Sequence, residues 1–103
     1  RYRTALGHAL PYLDRTPTDW RLRFLVATIY AGLGETIASK RELNTVLAAN
    51  PNHAAAHYLL GTLMRPVEAE RATAELHLRR YLELEPEGPH ADEVRASLLR
   101  SVE

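Results

Sequence analysis

Apolar residues recur at three- and four-residue intervals along nearly the whole chain, the spacing that lines one face of an α-helix. Leu22, Leu25, Val26, Ile29, Tyr30 and Leu33 predict a helix over 18–33. Thr18 or Asp19 can cap its orphan amides, and Gly34 can take the left-handed stop. A second helix over 36–49 is predicted to bury Ile37, Leu43, Val46 and Leu47, and a third over 53–64 carries Leu59, Leu60 and Leu63. Arg65-Pro66 then predicts an early turn into a long helix over 66–85. Proline suits the first turn of a helix, and Glu68 and Glu70 complement that end of the dipole. On its exposed face, Glu75–Arg79 and Arg79–Glu83 stand four residues apart. Residues 2–14 form the opening helix, where Pro11 removes the hydrogen bond to the Gly7 carbonyl and predicts a kink or early fraying. Over 90–102, Val94, Leu98 and Val102 make one stripe, with Ala91 and Leu99 beside it. The pattern is all-α.

A longer period lies over the helical one. Pro17, Pro51 and Pro86 are separated by 34 and 35 residues. Each closes a similar apolar segment, Tyr12-Leu13-Asp14-Arg15-Thr16, Val46-Leu47-Ala48-Ala49-Asn50 and Tyr81-Leu82-Glu83-Leu84-Glu85. Proline cannot continue a helix and disfavours helical geometry in the residue before it, so each marks a boundary.

With this period the sequence resembles the tetratricopeptide repeat, whose pattern is W-x2-L-G-x2-Y in a first helix and A-x3-F…P in a second. Arg23, Val26, Ala27 and Tyr30, then Ser39, Leu43 and Pro51, fill these slots once. His57, Leu60, Gly61 and Met64, then Ala74, Leu78 and Pro86, fill them again, and Ala5, Ala9 and Pro17 supply a second half alone. Small residues sit where two helices touch, and larger apolar ones fill between them. Both tryptophan slots hold other residues, and Trp20 lies elsewhere. The resemblance implies a right-handed α-α superhelix of antiparallel helix pairs, about five helices with a C-terminal capping helix. It divides a single domain, 1–103, into a partial repeat (1–17), two repeats (18–51 and 52–86) and the capping helix (87–103). A solenoid needs such a helix, with one polar face, to close its open end, and the competing reading of this segment is the start of another repeat.

Composition narrows the function classes. Thirteen cations balance 13 anionic side chains without any block of like charge, which argues against nucleic-acid or anionic-membrane surfaces. The cations are all Arg except Lys40, a skew that points to a GC-rich bacterial genome. With no cysteine there are no disulfides and no thiolate metal sites, and that absence fits cytoplasm and periplasm equally. No apolar run reaches the length of a spanning helix. The start at Arg1, without a signal segment, reads as a piece of a longer protein.

Catalytic and metal motifs are missing. There is no Gly-x-Ser-x-Gly, and the five glycines are scattered singly, so no phosphate-cradling loop is formed. His53 and His57 share a helix face, but the intervening residues are alanines and the glutamate of the HExxH zinc motif is lacking. Packing for His57 and capping for His53 are the better readings, while His8, His77 and His90 have no partner identifiable from spacing. We therefore expect no catalytic residues, no metal and no cofactor.

Binding is the stronger expectation. In tetratricopeptide proteins an exposed stripe of each first helix commonly holds peptides on the concave wall. The resemblance places Arg21, Phe24 and Thr28, continued by Tyr58, Thr62 and Arg65, on that stripe. Two aromatic rings would provide contact area and two arginines orientation, or the rings pack on a neighbouring helix instead. Relatives that grip chaperone C-termini clamp the terminal carboxylate with Lys, Asn and Arg. Phe24, Thr28 and Leu59 stand at the corresponding slots here, so that clamp is not present. The expected partner is a protein or peptide, without nucleic acid and without membrane insertion. The competing expectation is self-association, because the half-repeat leaves an apolar helix face that another copy could cover.

Overall fold

The structure is a computed structural model, and it describes residues 1–101. Among these the regular elements are six α-helices and one short 3-10 turn, with no strand. The chain forms two compact units that divide after Pro51.

The first unit holds α1 (Tyr2–Arg15), α2 (Trp20–Gly32) and α3 (Thr36–Ala49). The Asp19 side chain caps α2 by accepting from the Leu22 amide at 3.1 Å. Gly34, at φ 78, makes the left-handed turn into α3, a conformation that side chains resist. Across the α2–α3 contact, Ala27 faces Ser39 and Arg23 faces Glu42. One number rises as the other falls, so the helices are antiparallel. Both members of the first contact are fully buried, and the Ser39 hydroxyl donates to the Ala27 carbonyl at 2.7 Å. A hydroxyl can thus stand where the repeat pattern has alanine because its one donor is satisfied. The core beside it gathers Leu6, Ala9 and Leu13 of α1 with Val26 and Ile29 of α2.

Two expectations for this unit are corrected, and of the kink or early fraying expected at Pro11 the fraying does not occur, since α1 continues to Arg15. Leu13 beyond the proline is buried, and the last turn is closed by Thr16, whose amide and hydroxyl both donate to the Tyr12 carbonyl. Ile37 is not in the core but 74% exposed. The close contact at Ser39 sets the inward face of α3, and a residue two positions earlier points roughly 160° away at 3.6 residues per turn. Leu25 is likewise 51% exposed, outside the stripe that its spacing suggested.

The second unit holds α4 (Ala54–Met64), the 3-10 turn (Glu68–Glu70), α5 (Arg71–Leu84) and α6 (Ala91–Ser101). His53 Nδ1 caps α4 by accepting from the Ala56 amide at 3.0 Å. Leu60 and Gly61 are buried, and a Cβ on Gly61 would lie 2.8 Å from Leu78 Cγ and 3.0 Å from the Ala74 carbonyl oxygen, both on α5. Leu78, Tyr81 and Val94 form the core between α5 and α6.

The long helix expected over 66–85 starts later, at Arg71. Arg65 stays helical, but Val67 is extended at φ -91, ψ 114, and breaks the path after Pro66. The segment then recovers through the 3-10 turn that contains Glu68 and Glu70. The Glu75–Arg79 pair is present at 3.9 Å, and Glu83 meets Arg80 at 3.6 Å. In α6, Ala91 and Val94 are buried, Leu98 is half-buried and Leu99 is 65% exposed; Val102 lies outside the described residues.

Candidate functional site

Three of the residues singled out from sequence come together in the second unit. Tyr58 and Thr62 on α4, with Arg65 at its C-terminal cap, line a cleft of about 610 Å³ whose other walls are α5 and α6. Their spacing of four and then three residues places them along one helix face.

Tyr58 is held at both ends. Its ring stacks on His90 at 4.0 Å and 8°, and its hydroxyl donates to Glu93 Oε2 at 2.6 Å. Tyr81 lies 5.5 Å from the same ring, and its own hydroxyl accepts from the His90 amide at 2.9 Å. Burial and then the Glu93 carboxylate push the Tyr58 phenol up to about 12, because both disfavour a second negative charge there. Much of this ring is therefore occupied in joining α4 to the start of α6.

Thr62 is exposed, and its hydroxyl donates to the Tyr58 carbonyl at 2.9 Å, four residues back along its helix. Arg65 crosses to α6, where Nη2 donates to the Ser97 carbonyl and to Ser101 Oγ, both at 2.8 Å.

The other three residues lie on α2 in the first unit. Arg21 places its guanidinium 4.7 Å from the Trp20 ring centroid, a cation–π contact. Phe24 is half-buried, and Thr28 is exposed with its hydroxyl donating to the Phe24 carbonyl at 2.9 Å. Phe24/Thr28 and Tyr58/Thr62 thus repeat the same local arrangement. The smaller cleft of this unit, about 350 Å³, lies between the start of α2 and the end of α3. It is lined by Trp20, Arg23 and Ala49 rather than by these three.

The histidines pair differently from their spacing. His57 Nδ1 meets His77 Nδ1 at 3.0 Å across the α4–α5 contact, and His90 stacks on Tyr58. Burial, and then the charge of His57, lower the His77 pKa, and burial lowers that of His53. Among the described residues no group of three or more His, Cys, Asp or Glu side chains converges as a metal site would require. No helix among them is long and apolar enough to cross a membrane. The partners of His57, Tyr58 and Arg65 lie 20 to 36 residues away in sequence, beyond the reach of any helical period.

No family model matches the sequence, and no curated protein matches it either. Among solved structures, the first TPR domain of Spaghetti (RPAP3), bound to the HSP90 peptide SRMEEVD, is similar with a TM-score of 0.84. The match covers 99% of this chain and 81% of that one at 23% identity. At that identity the likeness speaks for the fold: this chain is all-helical and has the architecture of a tetratricopeptide-repeat domain.

Proposed function

We propose that this protein is a non-catalytic scaffold that binds a peptide or protein partner on the exposed face of its repeat-opening helices, Arg21, Phe24 and Thr28 on α2 and Tyr58, Thr62 and Arg65 on α4. The observation that carries this reading is the open cleft beside α4, where exposed Thr62 stands between an aromatic ring and a guanidinium. Such mixed aromatic and arginine surfaces concentrate binding energy. The similar structure, with its bound peptide, supports the same use of the fold. The same peptide is not the expected ligand, because Phe24, Thr28 and Leu59 stand at slots where the terminal-carboxylate clamp uses Lys, Asn and Arg.

The test is capture of partners by the full chain, compared with Phe24→Ala and Thr62→Arg variants. Thr62 is exposed, so the arginine fills the cleft without entering the core. Partners lost in these variants but retained by Arg79→Ala support the reading. Partners indifferent to both changes would overturn it. Titration with SRMEEVD should show no tight binding. Self-association gains no support from the similar structure, and sedimentation showing a concentration-dependent mass that Thr62→Arg leaves intact would favour it instead.

A further inference from the structure

We infer that the cleft between α4 and α6 is a carboxylate subsite that takes an Asp or Glu side chain of the bound peptide. This rests on the peptide-binding reading and adds the chemistry of one position. The chain as a whole is neutral, yet three guanidinium groups, those of Arg65, Arg71 and Arg100, line this one cleft. Its two carboxylates are already engaged, Glu93 by the Tyr58 hydroxyl at 2.6 Å and Glu75 by Arg79 at 3.9 Å. The lining therefore carries one surplus positive charge. That matches a single carboxylate better than a doubly charged phosphate.

Arg65 supplies the second observation. Its Nη2 is fixed by the Ser97 carbonyl and Ser101 Oγ, while Nη1 is buried with no hydrogen-bond partner among the described residues. A buried donor without an acceptor is costly, so a single charge-assisted bond from Nη1 to a carboxylate oxygen is favourable. A ligand reaches Nη1 only if the guanidinium turns, exchanging an Nη2 bond to Ser97 or Ser101 for one to the ligand. An acidic side chain seated there satisfies the orphan donor, with Arg71 and Arg100 adding attraction from the rim.

The experiment is a titration of isotope-labelled protein with two capped peptides, acetyl-Gly-Gly-Glu-Gly-Gly-amide and its Gln counterpart, followed by amide chemical shifts. The Glu peptide should give saturable shifts around Arg65, Ser97 and Ser101, weakened at least about tenfold, or about 1.4 kcal/mol, in Arg71→Gln/Arg100→Gln. Both of those residues are exposed, and because Arg71 Nε also donates to the Arg65 carbonyl at 3.4 Å, the free double variant must first show unchanged Ser97 and Ser101 amide shifts. Arg65→Gln should abolish the shifts. Equal responses to the Glu and Gln peptides, or no Glu-dependent shifts at about 10 mM, well above a millimolar affinity, would overturn the inference. So would inorganic phosphate displacing the Glu peptide at equal concentration. A partner that is lost with Thr62→Arg but bound normally by Arg71→Gln/Arg100→Gln would keep the scaffold reading and remove this one.

Discussion

Arg23 of α2 and Glu42 of α3 form a 2.7 Å ion pair in which each side chain is only 17% exposed. Arg23 Nη2 also donates to the Pro17 carbonyl at 2.6 Å, so one guanidinium ties the repeat boundary to both helices. It occupies the slot that the repeat pattern gives to tryptophan. In the second unit the equivalent slot is taken by His57, again paired across the helix contact, with His77. Glu42→Gln should lower stability by about 1–3 kcal/mol in chemical denaturation, the range for a charge-assisted hydrogen bond in a mostly buried site. Replacing both partners with apolar residues of similar size should cost much less, since no charge is then left unpaired.

The helix contact at Gly61 gives opposite outcomes for two glycine substitutions. In α1, Gly7 has no atom within 4 Å of a would-be Cβ, so Gly7→Ala should stabilise by about 0.5–1 kcal/mol through helix propensity alone. The same propensity gain applies at Gly61, but there the new methyl meets buried Leu78 and the Ala74 carbonyl. Overpacking of about 1–3 kcal/mol should outweigh it. Thermal melts of both variants check the sign.

Leu60, beside that glycine, is 1% exposed. Leu60→Ala should cost roughly 2–5 kcal/mol as a cavity in the second unit. A loss below about 0.5 kcal/mol, far under that range, would mean that the repeat register is misplaced.

The histidines set an acid limit to stability. The pKa of His77 is lowered in the folded state, chiefly by burial, so the unfolded chain binds more protons below the ordinary value of 6.5. Stability is then fully present above about pH 6.5 and falls as the pH drops toward the lowered folded value. His53 contributes in the same direction. Denaturant midpoints measured from pH 7.5 to 5 should fall, and His77→Gln should flatten the slope.

Tyr58 sets the alkaline limit, with the opposite sign. Its phenol is raised from 10.0 to about 12, so its contribution is present below pH 10 and is lost as the pH climbs through the folded value. Ultraviolet titration should show one tyrosine ionising late, and Tyr58→Phe should remove that step.

Local rules along the chain determined much of the architecture. Thr36–Ala49 and the capped starts at Asp19 and His53 follow from helical spacing, side-chain oxygen or nitrogen acceptors and the turn at Gly34, all of which act within a few residues. The small residues Ala27 and Gly61 likewise marked where helices touch, because a close approach leaves no room for larger side chains. Tertiary structure alone decided the rotation of each helix about its axis, and with it the exposure of Ile37 and Leu25. It also decided that Val67 would turn outward into an extended bend rather than continue from Pro66. The cleft is the clearest case: Tyr58, Thr62 and Arg65 share a face by spacing, but Glu93, Ser97 and Arg100 reach them only when α6 docks. Helical periodicity orders neighbours on one helix. Which side chains meet across two helices depends on how their packed surfaces interlock.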